Sequence, residues 1–192
     1  YGNHSLMGNI TGNHDIPRFI SYAGKGLSFI EDEKKAGWER EVKIENTIGY
    51  NKLKMLTAFI MTIPGIPVIY YADEIGMVGA GDPDNRRPMI FEGLNSYQKD
   101  VKQNAQTLLH LRKSKLSLLY GEFNLLEVSD KIYVYERTYL NEKTIILFNK
   151  DLKSVKINLN KELSDFKKHF NSKIEDNTVT LLPYSFEILT LN

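Results

Sequence analysis

Two short clusters hold the side chains best suited to chemistry. The first, Asn13-His14-Asp15, follows a moderately apolar stretch, Ser5 to Ile10, and is followed by Arg18. The second, Asp82-Pro83-Asp84-Asn85-Arg86-Arg87-Pro88-Met89, follows the apolar run Gly65-Ile66-Pro67-Val68-Ile69-Tyr70-Tyr71-Ala72. A carboxylate and an imidazole projecting together from a strand end can share a cleft with the carboxylates and guanidinium groups of a neighbouring loop. The plainer reading of the first cluster is a turn, which Gly12 and Asn13 suit and which Asp15 could cap. Spacing alone leaves both readings open.

The elements that would position these clusters favour the shared cleft. Pro64 and Gly65 interrupt the chain and release an uninterrupted apolar run, the pattern of a strand buried on both faces in a parallel sheet. In a (β/α) barrel the loops after the strands carry the chemistry, and adjacent strands would bring the two clusters together. The segment 48–63 is predicted to be helical. Leu53, Leu56, Ile60 and Ile63 mark one face, and Met55, Ala58, Phe59 and Met61 widen it. A second helix is predicted from Asn95, with Gln98 completing a capping box, to about Lys115. Tyr97, Val101, Ala105, Leu108 and Leu109 are expected on one face of it. Residues 23–47 are charged and glycine-containing and read as a long surface excursion with one short helix. Strand, helix, strand, helix is the order of βα units.

After Leu116 the pattern turns to strands. Ile132–Tyr135 and Thr144–Phe148 are β-rich, with Asn141 in the turn between them. Val155 to Leu159 alternates apolar and polar, and 179–182 and 186–191 continue the pattern. The fold class expected is therefore α/β plus all-β. Residues 1–116 would be the last βα units of a (β/α)8 TIM barrel, and 117–192 a small antiparallel β-sandwich domain.

Composition narrows the classes of partner. The chain has 192 residues, 42% hydrophobic and 26% charged, with net charge +1 and no Cys. A near-neutral chain argues against a nucleic-acid partner. No apolar run nears the roughly 20 residues that span a bilayer, so no membrane partner is expected. Absence of Cys excludes disulfides and thiol ligands, and the compartment is not readable. Tyr1 stands where an initiator Met would, which predicts a piece of a longer protein whose N-terminal part would be its partner. A homodimer is left open.

The clusters carry a resemblance. Gly12-Asn13-His14-Asp15-Ile16-Pro17-Arg18-Phe19 resembles the "N-H-D" segment at the seventh barrel strand of the α-amylase family, glycoside hydrolase family 13. Gly65 to Met77 resembles that family's eighth-strand segment. Asp82 to Met89 resembles the loop that follows it in the neopullulanase, cyclomaltodextrinase and maltogenic amylase branch, and the β-rich tail fits the C-terminal domain. The resemblance implies a retaining reaction on α-glucosidic bonds of starch, maltooligosaccharide, cyclodextrin or pullulan type. A nucleophilic Asp and an acid/base Glu flank the bond, and a third carboxylate stabilises the oxocarbenium-like transition state. It makes Asp15 that third carboxylate and His14 a donor to hydroxyls of the same glucose, the two catalytic-site residues of this chain. Asp82 and Arg86 would bind the next glucose out. Asn13 and Arg18 are further substrate-binding candidates, with an architectural role as their alternative. No metal or cofactor is implied from these residues; a Ca2+ in the full-length enzyme would be held elsewhere. The nucleophile and the acid/base have no counterpart in this chain, so the chain alone is expected to be inactive.

Other readings are weighed beside it. Gly12-Asn13-His14-Asp15 also matches a two-metal phosphoesterase motif, although the Gly-Asp segment that should precede it, Gly81-Asp82, comes after it. A catalytically silent sugar-binding or scaffold relative of the same fold is the other alternative. Ala72 stands where the family usually has Gly, a change that a backbone of negative φ would accept. Asp73 and Arg87 are loop-holding ion-pair candidates, and Tyr70 and Tyr71 are read as packing. Trp38 is read as a hydrophobic anchor, with sugar stacking as its alternative.

Overall fold

A computed structural model describes residues 6–191. Two three-residue strands, β1 (Gly8–Ile10) and β2 (Ile66–Val68), pair in parallel with Asn9 opposite Pro67. Ser5, expected to open the first strand, lies outside the described residues. The connection between them carries three helices, α1 (Phe19–Ala23), α2 (Glu33–Glu39) and α3 (Ile48–Thr62). A parallel pair requires such a crossover, because its strand ends lie at opposite ends of the sheet. The excursion 23–47 thus holds α2 as its one helix, capped by Asp32, whose carboxylate accepts the Lys35 amide at 2.9 Å.

α3 ends one residue before the sequence boundary, and no residue from 50 to 63 is exposed. After β2 the chain makes short 3-10 turns at Asp73–Ile75 and Asp84–Arg86 and then enters α4 (Ser96–Ser114). The capping box forms as expected: the Gln98 amide donates to Asn95 Oδ1 at 2.9 Å and the Asn95 amide to Gln98 Oε1 at 3.1 Å. The inner face of α4 differs in two positions, the first being Tyr97, which is exposed and stacks on the Tyr50 ring at 5.2 Å. Val101, Ala105, Leu108 and Leu111 are buried, while Leu109 is exposed. The 3.6-residue repeat turns Leu109 away once Leu108 faces in.

The chain divides into two units, 6–60 with 65–108, and 61–64 with 109–191. The division falls inside α4, where the sequence reading sets it at 116/117. In the second unit the last turn of α3 is held by buried arginines. Arg112 donates to the Met61 carbonyl at 2.6 Å, and Arg137 to the Thr62 carbonyl at 2.6 Å. Cations at a helix C-terminus satisfy its free carbonyls and complement its dipole.

The rest of the second unit is antiparallel. A short helix α5 (Leu116–Tyr120) precedes β3 (Glu122–Val128), β4 (Ile132–Tyr139), β5 (Glu142–Asn149), β6 (Val155–Asn158), β7 (Phe166–Lys168), β8 (Lys173–Glu175), β9 (Thr178–Leu181) and β10 (Ser185–Leu191). One sheet runs β3-β4-β5-β10-β7 and the other β6-β9-β8. Val134, Ile145, Leu147 and Leu189 from the first share a single apolar cluster with Ile157, Val179 and Leu181 from the second. Glu187 is fully buried and pins the 169–172 turn by accepting the amides of His169, Phe170 and Ser172 and the Ser172 hydroxyl.

Candidate active site

The two clusters come together in the first unit, the first just beyond β1 and the second on the long loop that follows β2. Three contacts shape the turn after β1. The Asn13 Oδ1 accepts the Asp15 amide at 2.8 Å, an Asx turn that fixes the direction of His14 and Asp15. Gly12 must be small, because a Cβ there would lie 2.6 Å from Asp73 Oδ2. Asn85, fully buried, donates its side-chain amide to the Ile16 carbonyl at 2.8 Å and to the Asn13 carbonyl at 3.4 Å. The loop after β2 thereby holds both ends of the turn that presents His14 and Asp15.

Arg86 links the clusters from the outside. Its Nε donates to the His14 carbonyl at 3.1 Å and lies 2.9 Å from Asp82 Oδ1. Its Nη2 lies 3.7 Å from Asp15 Oδ1, and His14 Nε2 lies 3.2 Å from the same oxygen. The side chains of Asp15 and His14 are 66% and 62% exposed, so the group opens to solvent. A guanidinium between two carboxylates, with an imidazole beside one of them, presents acceptors and donors in a ring. It can bond a ligand that offers both hydrogen-bond donors and acceptors.

Arg18 takes a different place from the substrate-binding role considered for it. The residue is 1% exposed. Its Nε donates to the Asn85 carbonyl at 3.1 Å, and its Nη1 to the Tyr71 carbonyl at 2.6 Å and to Asp73 Oδ1 at 2.8 Å. Its guanidinium carbon sits 4.5 Å from the Tyr70 ring centre and 4.7 Å from that of Tyr71, a cation–π arrangement. Arg18 is therefore a clamp behind the open group, and Tyr70 and Tyr71 pack against it. Burial raises the Asp73 carboxyl to about 6, against the pull of Arg18. Arg87 pairs with Asp84 in two bonds, 2.9 and 2.8 Å, and Asp84 also accepts the Ala80 amide at 2.7 Å.

Two further residues depart from expectation. Ala72 has φ +66°, so the site of the Gly-to-Ala difference is left-handed, where a Cβ is strained. Trp38 is 72% exposed, so it is not buried as a hydrophobic anchor would be. The structural role of Asn85 has no mark in the sequence, because a buried amide in a polar loop leaves no periodic signal. Among the described residues, no group of three or more His, Asp or Glu is arranged to hold a metal ion. No helix among them is long and apolar enough to cross a membrane.

The parallel strands, the turn that presents His14 and Asp15, and the arginine loop define a class. Residues 3–176 match the α-amylase family, described as alpha amylase, catalytic domain, and the chain belongs to that family of glycoside hydrolases. This membership replaces the two-metal phosphoesterase reading. Among its relatives, a cyclomaltodextrinase of Thermoanaerobacter pseudethanolicus is 30% identical over 186 residues, covering 96% of this chain and 28% of its own. An amylopullulanase of Thermoanaerobacter thermohydrosulfuricus is 27% identical over 169 residues, 82% of this chain and 11% of its own. An Anoxybacillus α-amylase structure superposes with a TM-score of 0.70 at 26% identity, over 97% of this chain and 38% of that one. The chain thus spans about a quarter of the length of the curated cyclomaltodextrinases it matches.

Proposed function

We propose that this chain is the seventh and eighth βα portion of a (β/α)8 barrel with its C-terminal β-sandwich, and that it serves a retaining α-glucan hydrolase. Asp15 supplies the carboxylate that stabilises the oxocarbenium-like transition state, and His14 binds hydroxyls of the same glucose. Asp82 and Arg86 bind the adjoining glucose. The nucleophile and the acid/base come from the part of the enzyme that precedes this chain. The observation that carries the reading is the position of Arg86, which bridges the His14 carbonyl and Asp82 at 3.1 and 2.9 Å with Asp15 at 3.7 Å. That position makes the residues named by the family resemblance one solvent-open group.

A carboxylate preorganised where positive charge develops is worth several kcal/mol to the rate. In the full-length protein, Asp15→Asn keeps the shape and removes the charge. Hydrolysis of a nitrophenyl maltoside is expected to fall about a hundredfold or more in kcat, the usual effect of losing one such group. Retention of more than about a tenth of the activity would refute the role. The isolated chain is expected to show no turnover.

A further inference from the structure

The chain holds a single tryptophan, and the structure displays it. Trp38 sits in α2 and is 72% exposed, although the other side of that helix is tightly packed. Ala36 is buried with Leu27, Val42 and Ala80. A Cβ on Gly37 would lie 2.8 Å from Asp84 Cβ, and one on Gly81 would lie 2.9 Å from Glu33 Cγ. The Gly81 amide donates to the Glu33 carbonyl at 3.2 Å. So α2 is seated directly on the loop that carries Asp82 and Arg86, and packing does not ask for an indole at position 38.

Trp38 borders a surface cavity of about 550 Å3 lined also by Gly37, Glu39, Arg40, Glu41, Asp84 and Arg87. The charged groups there are already held. Arg87 is fixed by Asp84 in two bonds, and Arg40 by Glu31 at 3.0 and 2.9 Å and by the Gly26 carbonyl at 2.9 Å. Glu39 and Glu41 are paired in turn with Lys35 and Lys43, at 3.6 and 2.7 Å, so every charge of the lining is matched and the cavity favours neither anion nor cation. It offers one flat apolar face and a rim of fixed donors and acceptors. A pyranose ring has that complement: its C–H face stacks on an aromatic surface while its hydroxyls bond the rim.

We propose that Trp38, with Arg40 and the Asp84–Arg87 pair, is a second glucosyl-binding platform, separate from the His14–Asp15–Asp82–Arg86 group. The ligand class, a neutral α-glucan segment, rests on the functional reading above. Because the chain has one tryptophan, selectively excited fluorescence reads this platform alone. Titration of the 192-residue chain with maltoheptaose is expected to give a saturable change in Trp38 emission. By calorimetry in the Asp15→Asn/Asp82→Ala background, Trp38→Ala, checked for native circular dichroism, is expected to bind maltoheptaose at least about tenfold more weakly, ~1.4 kcal/mol. Asp15→Asn/Asp82→Ala is expected to keep the fluorescence response. Absence of an emission change in the wild-type chain, or its loss in Asp15→Asn/Asp82→Ala, would overturn the platform. If calorimetry then shows binding that depends on Asp82, the platform fails and the functional reading stands. A retained emission change beside a full-length protein that hydrolyses no α-glucan would uphold the platform and sink the hydrolase reading.

Discussion

Arg18 Nη1 and Asp73 Oδ1 lie 2.8 Å apart and join the turn after β1 to the turn after β2. Arg18 is all but sealed from solvent, and Asp73 is largely so. Burial raises the Asp73 carboxyl from 3.8 to about 6, so desolvation outweighs the attraction of the guanidinium. The folded state then holds a proton on Asp73 that the unfolded state releases at lower pH. The stability this proton contributes is full below about pH 4 and is lost as pH rises through about 6. Relative to Asp73→Asn, wild-type stability in urea unfolding is expected to fall by up to about 3 kcal/mol between acid and neutral pH. A difference that rises with pH would mean that Arg18, not burial, dominates the carboxyl.

Ala72 and Gly76 test the backbone of the same turn from two sides. Both are left-handed, with φ +66° and +63°. A residue with a Cβ costs about 1–2 kcal/mol in that region. Ala72→Gly is expected to raise the unfolding free energy by about 0.5–1 kcal/mol, less than the full relief because Gly adds unfolded-state entropy. Gly76→Ala is expected to lower it by a comparable amount or more, since its Cβ would meet the Tyr50 ring at 3.0 Å and Leu53 at 3.3 Å. Thermal melts of the two variants shifting in the same direction would show that φ does not control this turn.

Local patterns made much of this architecture legible. The Pro64-Gly65 stop, the apolar face of α3 and the Asn95–Gln98 box rest on neighbours in sequence, and all form as expected. The family motifs likewise pointed to the residues that gather around Arg86. The sequence was silent where the structure depends on distant partners. The burial of Arg18 depends on Tyr71, Asp73 and Asn85, none of them near it in the chain. β3 carries no alternating signal, because its register shifts between Leu125 and Glu127 and breaks the two-residue repeat. β7 and β8 are three residues each and carry lysines, too short and too polar to register as strands. The left-handed φ of Ala72 has no trace in an apolar run.

Asn85 ought to matter to stability as much as to the presentation of the site. Its side chain is fully buried and bonds the Ile16 carbonyl, while its own carbonyl receives Arg18. Asn85→Ala leaves the Ile16 and Asn13 carbonyls without that donor, at a cost of about 1–3 kcal/mol. Asn85→Asp keeps the size but places a carboxylate against those carbonyls, and is expected to destabilise at least as much at neutral pH. Chemical denaturation would measure both. A loss below about 0.5 kcal/mol in Asn85→Ala would mean that the turn carrying His14 and Asp15 holds itself.

The two units are expected to differ in how firmly their backbones are protected. β1 and β2 are three residues long, and Ile10, Ile66 and Val68 are exposed on them. β4, β5 and β10 are seven or eight residues long, β5 pairs with β4 on one side and β10 on the other, and the three bury Val134, Ile145, Leu147 and Leu189 completely. Amides exchange through local openings, whose cost rises with the apolar surface that must be exposed. Hydrogen exchange of the isolated, monomeric chain should therefore be slowest in β4, β5 and β10 and fast in β1 and β2. Addition of the preceding part of the protein is expected to slow β1 and β2 selectively, because pairing partners would then cover their open edges. Uniformly slow exchange through β1, β2 and the connecting helices in the monomer would show that the parallel pair satisfies its own edges, and would count against its being part of a larger barrel.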